Sequence, residues 1–201
     1  MAEVILHIDQ LVKRFGGLVA TNQAELQVQR GSIHALIGPN GAGKTTLIHQ
    51  ISGALQPDEG AVHFCGHNIT RVPMHQRALQ GLVRSYQITS IFKKLSVLDN
   101  LALAVQARSG SSMHFWRPAR SESARYAEAA AVAERIGLGA RQDALAGALS
   151  HGQQRQLELG LALALKPQLL LLDEPMAGMG PDESENMVAL LQSLRGEHTI
   201  L

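Results

Sequence analysis

The sequence predicts an α/β fold, with a mixed sheet as its core, an antiparallel β lobe near the amino terminus and a helical lobe at about residues 88–160. Two early segments, Val4–Ile8 and Ala24–Gln29, have the apolar patterning of strands. Helical patterns dominate residues 96–165, and the wholly apolar run Leu169–Leu172 is typical of a buried strand. A chain of 201 residues with 45% hydrophobic content is long enough for one well-buried domain, so we expect a single domain.

Composition excludes several classes of partner. The formal net charge is only +1, so no strong field attracts nucleic acid or anionic lipid. Cys65 is the single cysteine, which excludes an intramolecular disulfide and a Cys-rich zinc site. The longest apolar stretches are far shorter than the roughly 20 residues that span a bilayer, and the amino terminus does not have the pattern of a signal peptide. We therefore expect neither nucleic-acid binding nor a direct membrane span.

The remaining elements of the amino-terminal half follow from turn and periodicity signals. The segment Pro57–Gly60 has the residue types of a tight turn and predicts that the strand after it begins a short hairpin. In chain order, the expected elements are a strand at Ile33–Ile37, a helix at Lys44–Ser52, a hairpin over Ala61–Cys65 and Gly66–Ile69, and a strand at Leu82–Gln87.

The carboxyl-terminal half begins with a helix-capping signal. Ser96 and Asp99 have the spacing of a helix start, and the apolar positions that follow predict a helix to about Arg108. Residues 109–123 are rich in Gly, Ser and Arg and predict a surface connection. The later elements are helices at Ala124–Ile136, Gln153–Leu165 and Pro181–Leu194 and a strand at Thr199–Leu201.

A glycine-rich loop lies between a predicted strand and a predicted helix. Its pattern is G-x-x-x-x-G-K-T, and that context is what a phosphate-binding loop requires. Glycines let backbone N–H groups surround phosphate oxygens, the helix adds its positive end, and a lysine reaches the β and γ phosphates. A threonine hydroxyl after the lysine ligates Mg²⁺. The predicted nucleotide-binding residues are Gly38, Pro39, Asn40, Gly41, Ala42, Gly43, Lys44, Thr45 and Thr46, with Thr45 also a metal ligand.

Two carboxylates, Asp173 and Glu174, follow the apolar run Leu169–Leu172 directly. Asp173 at the tip of a buried strand is suited to hold Mg²⁺, directly or through water. Glu174 is then positioned to orient, or accept a proton from, the water that attacks the γ phosphate. On its own, an Asp-Glu pair also fits an ordinary surface strand end. Together with the loop, the pair predicts nucleotide hydrolysis with Glu174 and Lys44 as catalytic residues.

A third motif, Leu149 to Gln154, precedes a predicted helix, whose dipole and backbone donors form a second anion site. The segment resembles the signature of ABC ATPases, with His151 in place of the first glycine. In that family the signature of one subunit closes on ATP held by the phosphate loop of another. The resemblance therefore implies that Ser150, Gly152 and Gln153 bind nucleotide on a second subunit.

Other segments extend the resemblance. Gln87 matches the family's glutamine loop, which links ATP to the permease, and this implies catalytic and Mg²⁺-binding roles. Phe15 matches the aromatic residue that stacks on adenine. Ala177–Gly180 occupies the position of the family's D-loop but lacks its common Leu-Asp ending. These motifs occur in the family's order, and the finer details are similar to LivG-type subunits of the branched-chain amino-acid and urea or amide importers.

The resemblance implies an ABC-type phosphate-loop fold and an ATP-binding, ATP-hydrolysing subunit that powers import of branched-chain amino acids or related small amides. The implied partners are a second ATPase subunit, identical or different, and transmembrane permease subunits. The implied location is peripheral, on the cytoplasmic face of the inner membrane. The implied cofactors are ATP and Mg²⁺.

Two alternatives stay open at this point: a non-transport ABC ATPase, and a nucleotide-binding fragment without efficient turnover. The second arises because the chain stops at Leu201, before the position of the family's switch histidine. A guanine-specific GTPase is excluded, because no Asn/Thr-Lys-x-Asp element is present. A metal site at His63, Cys65 and His67 lacks a fourth ligand, and His151 beside Ser150 lacks an orienting acid for nucleophilic catalysis.

Overall fold

The computed structural model describes residues 3–85, 91–108 and 120–201, with the backbone alone described for residues 120–122. The chain forms two compact units. The first, called the sheet unit, comprises Met1–Arg84, Gln168–Asp173 and Leu194–Leu201. The second, called the helical unit, comprises Ser85–Pro167 and Glu174–Ser193.

An antiparallel sheet in the order β2-β1-β3-β4 forms the first layer of the sheet unit. Its long strands β1 and β2 are joined by the tight turn at Gly16 and Gly17, and β1 also pairs with β3. Both long strands confirm the predicted segments and extend beyond them, because cross-strand pairing continues to the turn. The bounds are β1 Val4–Phe15, β2 Leu18–Gln29, β3 Glu59–Phe64 and β4 His67–Asn68.

A parallel sheet in the order β5-β6-β7 forms the second layer. Its strands are β5 Leu82–Arg84, β6 Leu169–Leu171 and β7 Thr199–Ile200. The central strand β6 is buried along its whole length, as its unbroken apolar sequence predicts. Beyond Ser85 the predicted strand Leu82–Gln87 lies outside the described residues.

The predicted strand at Ile33–Ile37 is wrong. The segment makes a single parallel bridge, Ile33 to Ile200, with His34 N donating to Ile200 O at 2.8 Å. Leu201, which follows Ile200, donates its backbone N–H to Leu170 O in β6 and not to this segment. Ile37 is 89% exposed, because the chain has left the edge of β7 and turned toward the glycine-rich loop.

Helix α1, Lys44–Ser52, has the predicted bounds and packs into the core of the sheet unit. Leu47, Ile48 and Ile51 are the buried apolar residues of this helix. They join a core to which both sheets contribute, including Ile5, Leu6, Ile8, Leu11, Val62, Phe64, Leu82, Leu169 and Leu171. Burial on this scale fixes the axis of α1 and hence the direction in which its amino terminus points.

Helix α2, Met74–Leu79, is too short to show a helical period and was not predicted. It carries Arg77, which is fully buried. The guanidinium donates to Gln50 O at 2.9 Å and Ile51 O at 2.6 Å at the carboxyl end of α1, and to Val72 O and Thr70 O at 2.8 Å. Burial lowers the pKa of Arg77 to about 10, so it is charged at neutral pH.

The helical unit packs four helices, with bounds α3 Val97–Arg108, α4 Arg120–Arg135, α5 His151–Ala164 and α6 Pro181–Ser193 among the described residues. The predicted start of α3 is confirmed, since Asp99 N donates to Ser96 Oγ at 3.0 Å. Gly160 lets α5 approach its neighbours, because a Cβ there would lie 2.6 Å from Ile136 Cδ1. No helix in the described parts of the chain is long and apolar enough to cross a membrane.

We predict that Arg77→Met lowers the free energy of unfolding by about 3 kcal/mol, because carbonyls at the end of α1 lose a buried partner. Urea denaturation followed by circular dichroism measures this difference. The matched control is Arg71→Met, which removes an exposed arginine from the loop before α2. Equal effects of the two substitutions would show that Arg77 does not anchor α1.

Candidate functional site

The glycine-rich loop is held against β2 at one point. Gly43 has φ 86°, and a Cβ there would lie 2.3 Å from Ala20 O, so no other residue fits without moving backbone. Gly41 also has a positive φ, 81°, but a Cβ there would meet nothing within 4 Å. Gly43 thus fixes the loop in place, whereas Gly41 only supplies its turn.

The loop presents the amino terminus of α1 as an anion site. Gly43 is the N-cap and provides no side-chain hydrogen bond, and the first turn contains no acidic residue. The leading N–H groups and the helix dipole can therefore be neutralised by an external anion. Thr45 is exposed in this first turn, and Thr46 is half-buried beside it.

Lys44 lies folded over the loop. Its Nζ donates to Gly38 O at 2.7 Å and to Pro39 O at 2.9 Å. A strongly hydrated ammonium held by two neutral carbonyls exchanges them readily for phosphate oxygens, which are better acceptors. The Lys44 side chain thus lies against the loop to which the sequence motif assigns phosphate binding.

Asp173 follows β6 and pairs with Arg84, the last residue of the neighbouring strand β5. Arg84 Nη2 lies 3.3 Å from Asp173 Oδ2, and only 7% and 9% of these side chains are exposed. His49 of α1 faces the same pair. Burial lowers the pKa of His49, and the positive charge of Arg84 lowers this pKa further. The negative charge of Asp173 acts in the opposite direction and raises it.

Two residues of the sheet unit carry oxygen atoms of the kind that bind a hard divalent cation. Thr45 supplies a hydroxyl oxygen and Asp173 a carboxylate oxygen, and Mg²⁺ prefers such oxygen ligands. By contrast, the described residues contain no group of three or more His, Cys, Asp and Glu side chains that could hold a metal ion. Cys65 Sγ lies 3.7 Å from Gln168 Oε1.

The signature segment begins α5 in the helical unit with a reciprocal cap. Ser150 Oγ accepts from Gln153 N at 3.2 Å, and Gln153 Oε1 accepts from Ser150 N at 3.2 Å. The predicted site residues Ser150 and Gly152 thus lie together at the first turn of α5. Gln153 serves this arrangement through its capping bonds.

Glu183 of α6 contacts this first turn of α5, and no sequence motif predicted its presence here. Its Oε1 accepts from Ser150 Oγ at 2.8 Å and from Gly152 N at 3.1 Å. The hydrogen bond from Ser150, aided by backbone bonds and by His151, holds the pKa of Glu183 below its ordinary value. Its position in the first turn of α6 was visible in the sequence, but its partner 33 residues away was not.

Glu174 is exposed and has φ 48°, a left-handed conformation that is unusual for a residue with a side chain. Its carbonyl accepts from Ala177 N at 3.0 Å and so begins the turn toward Gly178. His151 lies against this segment, since a Cβ at Gly178 would be 3.5 Å from His151 Cε1. Strain of this kind is common at functional positions.

Phe15 is a further predicted site residue, and it lies apart from these clusters. Phe15 ends β1 with 50% of its surface exposed, and Lys13 Nζ lies 5.7 Å from its ring centroid. An exposed ring at a strand end is available for stacking. Gln87 lies outside the described residues.

Comparisons with known proteins agree on one family. A family model described as ABC transporter matches residues 21–177. BraF of Pseudomonas aeruginosa, a high-affinity branched-chain amino acid transport ATP-binding protein, is 37% identical over 100% of this chain and 80% of its own length. LivG of Salmonella typhimurium, which has the same description, is 36% identical over 98% of this chain and 80% of its own length.

Solved structures give the same result. A nucleotide-free ATP-binding cassette from an ABC transporter is similar with a TM-score of 0.85 and 32% identity, covering 99% of this chain and 80% of that one. The ADP conformation of MJ1267, an ATP-binding cassette of an ABC transporter, has the same TM-score of 0.85 and identity of 32%, with 99% and 80% coverage.

We predict that Gly43→Ala costs at least about 3 kcal/mol of folding stability, because it combines a left-handed backbone with a collision against β2. Gly41→Ala, the matched control, costs about 1 kcal/mol, because only the left-handed backbone conformation disfavours alanine at this position. Chemical denaturation of both variants measures the difference. Equal costs would show that the contact with Ala20 does not fix the loop.

Proposed function

We propose, from the premise that this chain belongs to the ABC transporter family, that it binds ATP on the Gly38–Thr46 loop and hydrolyses it to drive an importer. The observation that carries the proposal is the first turn of α1, which is uncapped by any side chain and has Lys44 folded beside it. A site of this kind takes a polyphosphate. The family match extends over both the sheet unit and the helical unit, so we treat them as one ATPase domain.

The phosphate-binding roles follow from the donors of the loop. Backbone N–H groups from Gly41 to Thr46 surround the phosphates, and Lys44 exchanges two loop carbonyls for β and γ oxygens. Thr45 and Asp173 would hold Mg²⁺, with Gln87 as a further ligand. When bound, Mg²⁺ neutralises charge on the phosphate oxygens. Phe15 would stack on the adenine ring.

Glu174 would act on the attacking water, as its carboxylate directly follows the proposed Mg²⁺ ligand Asp173 in sequence. A carboxylate there can orient the water and accept its proton, which is worth about 100-fold or more in rate. Gln87 would complete this role from the glutamine loop. Support for both assignments comes from the order of motifs in the sequence.

Ser150 and Gly152 would contact the γ phosphate of ATP held by a second ATPase subunit, identical or different. The support is that a hydroxyl and a backbone N–H converge on one negatively charged oxygen, that of Glu183. Gln153 would keep Ser150 in place. Two such chains arranged head to tail would each complete the other's site.

The transported substrate is proposed from the relatives. BraF and LivG are described as high-affinity branched-chain amino acid transport ATP-binding proteins. We therefore assign this chain to an importer of branched-chain amino acids or related small amides, in which it binds membrane permease subunits from the cytoplasmic face. In this role the chain supplies energy, and the permease and a binding protein select the substrate.

We predict that Lys44→Ala abolishes ATP binding, whereas Glu174→Gln keeps binding and lowers hydrolysis by at least about 100-fold. Titration with a fluorescent ATP analogue measures binding, and phosphate release measures hydrolysis. Lys94→Ala, at an exposed lysine of the helical unit, is the control for lost positive charge. Retained binding in Lys44→Ala would refute the loop assignment.

For the transport role, we expect the chain to co-purify with permease subunits and to support ATP-dependent uptake of labelled leucine in reconstituted vesicles. Lys44→Ala should assemble with the permease but give no uptake, since only the energy source is removed. Tight association with ribosomes or DNA in place of a permease would contradict the transport role.

A further inference from the structure

The carboxylate of Glu183 lies where the proposed function puts a phosphate. The proposed function assigns the hydroxyl of Ser150 and the N–H of Gly152 to the γ phosphate as donors. In the structure both donate to Glu183 Oε1, at 2.8 and 3.1 Å. An ionised carboxylate oxygen accepts these bonds with the same charge and direction as a phosphate oxygen. One donor pair therefore has two candidate acceptors of the same kind.

The same carboxylate also caps the amino terminus of its own helix, α6. Its Oε2 accepts from Gly180 N at 3.4 Å, directly before α6. Glu183 is thus shared between the amino termini of two helices, each of which favours negative charge. It links the signature to Ala177–Gly180, the segment at the D-loop position.

Space for two anions on these donors is lacking. A Cβ at Gly152 would lie 2.4 Å from Glu183 Cδ and 2.6 Å from Oε1, so the carboxylate packs directly on this glycine. A phosphate oxygen that reached Gly152 N would meet a group of like charge at hydrogen-bond distance, which strongly disfavours joint occupancy. Glu183 must leave before a phosphate can bind here.

A route for this departure is present. A cavity of about 520 Å³ adjoins the contact and is lined by Ser150, Gly152, Gln153, Gln156, Glu183 and Asn186. The Glu183 carboxylate could turn into this space by rotation of its side chain, which would free the two donors.

We propose that Glu183 is a positioning residue that occupies the γ-phosphate position on α5 and is displaced when an ATP-loaded second subunit docks. The inference rests on the proposed function, which supplies that phosphate. Before docking, Glu183 keeps Ser150 and Gly152 oriented as donors. Its displacement also removes a bond from Gly180 N, so that occupancy of the signature changes the segment before α6.

The test measures the ATP concentration that gives half-maximal dimer, by light scattering after size exclusion, in a Glu174→Gln background that retains ATP. Adding Glu183→Gln removes the charge and keeps the shape, so we expect the half-maximal ATP concentration to fall about tenfold. Glu183→Ala should lower it at least as far. The melting temperature without ATP should fall in both variants, because α5 and α6 lose a cap.

Both Glu183 variants should therefore strengthen ATP-dependent dimer formation while they weaken folding, whereas a merely structural role for Glu183 would weaken folding and dimer formation together. The control is Glu185→Gln, which removes an exposed carboxylate from the same helix and should change neither value. An unchanged or higher ATP requirement in both Glu183 variants, with the Glu174→Gln parent still dimeric, would overturn the inference alone. A parent that stays monomeric at saturating ATP would overturn the two-subunit site and the inference with it.

Discussion

Helix α1 is held at both ends, and the geometry of the phosphate loop depends on this restraint. At its carboxyl end, Arg77 places a buried positive charge against Gln50 O and Ile51 O, where the helix dipole is negative. At its amino end, Gly43 lies so close to Ala20 O that only a glycine fits. Between these points the apolar face is buried. The leading N–H groups are consequently fixed in direction before any phosphate binds.

Several polar groups to which the proposed function gives a role in nucleotide binding already have partners within the chain. Lys44 is bound to two loop carbonyls, Asp173 to Arg84, and the donors of Ser150 and Gly152 to Glu183. Binding at such groups exchanges one partner for another, so the net free energy is a difference between two hydrogen-bonded states. Internal partners therefore keep the donors oriented while they limit the affinity for phosphate.

Contiguous motifs could be predicted from the sequence, and contacts between distant segments could not. The bounds of α1 and the Ser96 cap follow from residues within one helical turn, and both are confirmed. The contact of Arg77 with Ile51 and that of Glu183 with Ser150 could not be predicted, because these partners lie 26 and 33 residues away in the sequence. The expected strand at Ile33–Ile37 failed for the same reason, since its one bridge is made with Ile200, far away in the sequence.

The first glycine position of the signature holds His151 in this chain, whereas the second holds Gly152. The contacts of the two residues account for this difference. His151 directs its side chain toward Gly178, where a Cβ would still be 3.5 Å away, so a large residue fits at position 151. Gly152 has the carboxylate of Glu183 within 2.6 Å of where its Cβ would be, and its N–H is one of the two donors. A side chain at position 152 would therefore displace the Glu183 carboxylate from these donors, whereas the histidine at position 151 leaves that contact in place.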